Sequence, residues 1–129
     1  MTASVTFTLP MPPKALSPNA RPHWAALASA KKKYRAMARQ ACTVQCMVQG
    51  LNEPRWQRSR LSMLFTFKVQ RRRDLDNLVA SMKAAIDGIK SAGLIYDDDE
   101  KHLTPEPPRT AVVAGTIQPF VTLTVTQEA

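Results

Sequence analysis

Two aspartates two residues apart, Asp74 and Asp76, follow directly on Arg71, Arg72 and Arg73, and acid returns at Asp97, Asp98, Asp99 and Glu100. In an extended chain the i, i+2 spacing puts the carboxylates of Asp74 and Asp76 on one side and Leu75 on the other. Two neighbouring carboxylates repel, and the pair is best tolerated when a hard cation binds both. Magnesium suits such a site, since it takes oxygen ligands, often one or two carboxylates completed by water and substrate phosphate. Carboxylates facing a phosphate backbone repel it unless a divalent cation stands between them. An acidic cluster beside arginines therefore points to metal-assisted phosphodiester chemistry.

Each residue also has a simpler role open to it. Asp74 or Asp76 can cap a helix, Lys83 and Asp87 can form an exposed i, i+4 pair, and the 97–100 run can be a solvated turn. Asn77 suits a cap better than a metal's water shell. Helical rotation from Asp76, at about 100° per residue, brings Ala80 to about 40°, Lys83 to about 340° and Asp87 to about 20°. Leu78, Met82, Ile86 and Ile89 fall between about 200° and 280°. The apolar arc is thus free to pack while Lys83 stands above Asp76, its ammonium in reach of a phosphate oxygen and the helix N-terminus aimed the same way.

The elements that must position these groups are legible from periodicity. Val5, Phe7 and Leu9 alternate with threonines as a first strand ending at Pro10, and a proline-rich loop follows through Pro22. Trp24, Leu27, Tyr34, Met37, Ala41, Val44 and Val48 recur at helical steps, predicting an amphipathic helix over 24–49 closed near Gly50. Leu61, Met63, Phe65, Phe67 and Val69 alternate as a central strand. A second helix is predicted from about Asp76 to Ala92, stopped by Gly93. Weaker strands are expected at 101–106, compromised by Pro105, and at 120–126; the stretch 111–117 suits either a strand or a loop. The order gives an α+β (mixed α/β) domain with a small sheet of about four strands packed by two helices.

The 129 residues suit a single domain spanning 1–129. Residues 1–73 carry 14 Lys/Arg against Glu53 alone, a net +13, while residues 74–129 carry 4 Lys/Arg against 9 Asp/Glu, a net −5. The basic half, with Lys31, Lys32, Lys33, Arg35 and Arg39 on the first helix, suits a nucleic acid. Many small basic domains bind nucleic acid without cutting it, so the charge alone does not establish catalysis. No apolar run is long enough to span a membrane and the first residues lack the pattern of an export signal, which predicts a soluble, cytoplasmic protein. Cys42 and Cys46, four apart in a predicted helix without zinc-ligand spacing, read as packed, reduced thiols. His23, beside Trp24, reads as a turn or cap residue.

Together these motifs resemble the RusA-type crossover junction endodeoxyribonucleases, common in bacteria and their phages. The resemblance covers most of the chain: DLDN at 74–77, then Lys83, Asp87 with Gly88, Gly93 and Asp97–Asp98, and separately LPMPPKALSPNARPHW at 9–24 before a basic helix. It implies a homodimer that binds four-way DNA (Holliday) junctions by their structure and cuts two opposing strands with magnesium, with no small-molecule cofactor. Carried over, Asp74, Asp76 and Asp98 are the metal-binding carboxylates, Asp97 is the second choice for the last of them, and Lys83 is the catalytic lysine. Arg71, Arg72, Arg73, Lys31, Lys32, Lys33 and Arg35 would track the DNA backbone. The chain departs from the family in one respect. The lysine there follows the second aspartate by four residues, where this chain has Ala80, whereas Lys83 follows by seven; both spacings return to one helix face.

Overall fold

In the computed structural model, which describes residues 3–116 and 118–128, alternation in β1 (Ser4–Pro10) buries Val5, Phe7 and Leu9 and leaves Ser4, Thr6 and Thr8 exposed. β1 pairs antiparallel with β5 (Phe120–Gln127), whose Val121, Leu123 and Val125 are fully buried. β5 in turn pairs antiparallel with β2 (Ser59–Phe67), which sits inside the sheet as predicted and buries Leu61, Met63, Phe65 and Phe67. One sheet face is thus core. The other carries Thr6 and Thr124, their hydroxyls 3.0 Å apart, as in an antiparallel sheet with one face open to water.

The position beyond β2 is shared by two short strands, which makes the sheet five-stranded where about four strands were expected. β3 (Leu103–Pro105) runs parallel to one half of β2 and β4 (Arg109–Val112) to the other. Between them lie Pro107 and Pro108, which have no N–H to donate to a ladder. The open stretch 111–117 therefore begins within a strand and continues as a turn, and Ile117 lies outside the described residues.

α1 (Trp24–Val48) forms where expected, with His23 as its N-cap: the ring Nδ1 accepts a hydrogen bond from the Ala25 N–H at 3.2 Å. Gly50 adopts φ +73° just past its end, the left-handed conformation that closes helices. The buried stripe differs from the predicted one. It consists of Tyr34, Ala38, Cys42 and Cys46, whereas Trp24 (76% exposed), Met37, Val44, Met47 and Val48 face solvent. Small residues let α1 lie close on its neighbour: a Cβ added to Gly88 would stand 2.4 Å from the Arg35 carbonyl oxygen and 2.8 Å from the Ala38 Cβ. Burial pushes the Cys42 thiol up to about 12, consistent with an inert packed thiol; both cysteines are free.

The predicted helix from 76 to 92 is two helices, α2 (Leu75–Ala80) and α3 (Lys83–Ser91). At the break the Ser81 hydroxyl donates back to the Asn77 carbonyl at 2.7 Å, while the Met82 N–H turns to Val79 in a tighter i−3 bond. Buried Met82 fills the corner, and its sulfur lies 3.6 Å from the Tyr34 hydroxyl, which also donates to the Pro10 carbonyl at 2.7 Å. One phenol thus ties the start of the proline loop to α1 and to the α2–α3 break. Tyr34→Phe leaves the Pro10 carbonyl without that donor and is expected to cost about 1–2 kcal/mol in urea denaturation; an unchanged midpoint would mean that water replaces the bond without loss. No helix among the described residues is long and apolar enough to cross a membrane.

Candidate nucleic-acid and metal site

The strand-to-helix junction after β2 sets Asp74 and Asp76. Asp74, in extended backbone at φ −93° and ψ 97°, is the N-cap of α2, its Oδ1 accepting from the Asn77 N–H at 3.1 Å. Asp76 lies in the first turn, and both residues are exposed. They share a cavity of ≈ 590 Å³ with Arg72, Arg73 and Leu75. Arg73 is only partly free for a ligand: its guanidinium stacks 3.7 Å above the Phe67 ring and donates to the Val69 carbonyl. Arg71 and Arg72 are the more exposed members of the triplet.

A second cavity joins two motifs far apart in sequence. Pro12, Pro13, Lys14 and Ser17 of the proline loop, which turns through a short 3-10 helix at Lys14–Leu16, face Arg72, Asp74, Asn77 and Ser81 across ≈ 310 Å³. Sequence reasoning gave Lys14, Ser17 and Ser81 no role; only the place of the 9–24 loop in the family resemblance hinted at one. Ser81 also lines a third cavity of ≈ 430 Å³, in which Lys31 and Arg35 of α1 face Lys83 and Asp87 of α3. Lys32 lines a different cavity, with Arg39 and with Ser91 of α3, and Lys33 is exposed.

The acidic loop is pinned from behind. Gly93, at φ +80° and tight against Glu53, turns the chain out of α3. Arg55 and Trp56 then donate to the Gly93 and Leu94 carbonyls, and the Tyr96 N–H to that of Trp56. From this anchor the three aspartates diverge. Asp99 serves its own turn, its Oδ1 accepting from the Lys101 and His102 N–H groups. Asp97 accepts from the Asp98 N–H at 2.7 Å and pairs with Lys90 at 3.0 Å. Asp98 reaches the Lys83 ammonium at 2.5 Å, and Asp87 holds the same ammonium at 3.3 Å. The hydrogen bond that its ammonium donates to Asp98 raises the Lys83 pKa above the ordinary lysine value, with Asp87 adding to it.

Lys90 has the converse effect on Asp97, whose carboxyl it holds at about 2 instead of 3.8, helped by the Asp98 N–H. The pair contributes to stability above pH 3.8 and is lost as the pH falls through about 2. In a carboxyl-detected NMR titration, Asp97 should titrate near pH 2 and Lys90→Met should return it toward 3.8; an Asp97 already at 3.8 would contradict the pairing.

The expected convergence of Asp74 and Asp76 with Asp97 or Asp98 is not found. Among the described residues, no three His, Cys, Asp or Glu side chains come together in an arrangement that could hold a metal ion. The carboxylates are engaged separately: Asp98 and Asp87 on the Lys83 ammonium, Asp97 on Lys90, and Asp74 as the cap of α2. The Asp74–Asp76 pair still fits magnesium in kind: two carboxylates, no sulfur or imidazole, and an open cavity for water and phosphate. In comparisons with known proteins, no family model and no curated sequence matches the chain.

Proposed function

We propose that this chain is a magnesium-dependent structure-specific endodeoxyribonuclease that resolves four-way DNA junctions by phosphodiester hydrolysis. The observation that carries the reading is the cavity in which the proline loop, with Lys14, meets Arg72 and Asp74: the two separate sequence signatures border one space, rimmed by cations and acid together. Asp74 and Asp76 would hold the metal. Asp98, with Asp97 beside it, is the further carboxylate that the family resemblance assigns, and it stands here on the Lys83 ammonium. When bound, magnesium would supply a water activated for attack and charge neutralisation at the phosphate. The chain's own part is to bind and orient. Arg71, Arg72, Lys14, Lys31 and Arg35 track phosphates without reading bases, so affinity falls steeply with salt. Lys83, protonated and held between two carboxylates, donates to a phosphate oxygen.

Symmetric incision at a two-fold junction needs two sites, which a two-fold homodimer supplies. Met37, Val44, Met47 and Val48 on α1 are apolar surface open to such a partner. A cytoplasmic location in a bacterium or phage-infected cell follows from the same reading. The cap bond of Asp74 favours a second reading, a basic nucleic-acid-binding module without chemistry in which the acidic groups only order α2 and the loop. Incubation with labelled four-way, three-way and linear duplex DNA separates the two. Magnesium-dependent, EDTA-sensitive cutting that prefers the four-way junction supports the nuclease, equal cutting of every branched form moves the substrate class, and binding without cutting leaves the module.

A further inference from the structure

The first turns of α1 bury no side chain fully: residues 24–33 are exposed or partly so, and the helix buries its first side chain at Tyr34. Trp24 opens the helix at 76% exposed, although a tryptophan side chain gains much from burial. Its direction is set by helix geometry. Lys31 lies seven residues on and Arg35 eleven, at about 340° and 20° from Trp24, so all three share one face. That face is the one on which Lys31 and Arg35 border the cavity of Lys83 and Asp87. Trp24 extends it by about 10 Å at 1.5 Å per residue.

The indole is also held from behind. The His23 ring lies 5.5 Å away and tilted by 33°, and it is fixed in turn by the bond that its Nδ1 accepts from the Ala25 N–H. An exposed, pre-positioned aromatic face in line with two phosphate-binding cations on a helix without a single acidic residue has one well-matched ligand. A nucleobase out of its stack offers a π-face to the indole while its flanking phosphates meet the cations.

We propose that Trp24 is a base-stacking platform at the rim of the candidate site, taking an unstacked nucleobase from the opened centre of a branched DNA. The proposal rests on DNA as the ligand of this protein but not on cleavage, so its test is made in EDTA. Trp56, 5% exposed, is the other tryptophan, and a fluorescence change on adding DNA therefore reports chiefly on Trp24. Four-way junction and single-stranded DNA should quench the emission, and a fully paired linear duplex should not. Trp24→Ala should weaken junction and single-strand binding by about 5- to 150-fold, the range for one stacked base, with duplex affinity unchanged and most of the affinity restored by Trp24→Phe. Because the side chain is exposed, both variants should fold. Equal junction affinity of wild type and Trp24→Ala would overturn the proposal while leaving the nuclease reading intact. So would an equal loss on duplex, or a change in assembly mass on substitution, which would make Trp24 a contact between copies. A wild type that binds none of the three DNAs would end both readings, and quenching without any magnesium-dependent cutting would keep this one and end the nuclease.

Discussion

Asp76→Asn is expected to lower magnesium-dependent junction cleavage by roughly 100-fold or more, at least the loss seen when one preorganised transition-state contact is removed. DNA affinity should hold or rise, since a negative charge leaves a phosphate-binding surface. Asp74→Asn should behave alike and is the more informative variant. Asp74 caps α2 through its Oδ1, and asparagine caps helices about as well as aspartate, so the substitution removes charge while the cap survives. A variant that folds, binds and fails to cut isolates the carboxylate's chemistry from its structural duty. Either variant cutting at the wild-type rate would remove the pair from the site. Glu106→Gln is the matched control, since that side chain pairs with Arg60 beside β3 and should cut normally.

Gly88→Ala has the largest expected effect on stability. On helix propensity alone the change should stabilise by about 1 kcal/mol. The added Cβ, however, would meet the backbone oxygen of Arg35 at 2.4 Å and the nitrogen of Arg39 at 3.0 Å, and backbone has little room to yield. Overpacking of this kind costs about 1–3 kcal/mol, and with backbone as the obstacle the upper end applies, near 10 °C in melting midpoint for a chain of this size. Thermal unfolding followed by circular dichroism gives the sign directly. A neutral or stabilising result would mean that α1 and α3 lie farther apart than described, and with them Arg35 and the Lys83 cavity.

The same glycine explains where sequence reasoning fell short. Strand alternation located β1, β2 and β5 because the core face of each is uniformly apolar in Val5–Leu9, Leu61–Phe67 and Val121–Val125, although β2 also buries Thr66 on its other face. The face of α1 was misplaced because large apolar residues were weighted over small ones. Met37, Val44 and Val48 are exposed, whereas Ala38 faces Gly88, and Cys42 and Cys46 continue that close-packed stripe. A glycine inside a helical pattern, opposite alanine and cysteine at steps of four, was the available signal. The break between α2 and α3 was hidden for another reason: neither serine nor methionine stops a helix by propensity, and the turn depends on a side-chain bond from Ser81 and on the corner that Met82 fills beneath Tyr34. The composition of the site was legible in the sequence, while the division of its helix into α2 and α3 was not.

The role of Asp74 and Asp76 as the seat of a divalent ion can be read without DNA or turnover. Manganese added in substoichiometric amounts to the isotopically labelled chain should broaden the amide signals of residues 72–77 first, and Asp76→Asn should abolish the effect. Broadening confined to the 97–100 loop, or spread evenly over all acidic positions including Glu106 and Glu128, would place the ion elsewhere and remove the basis for hydrolysis at this junction of strand and helix.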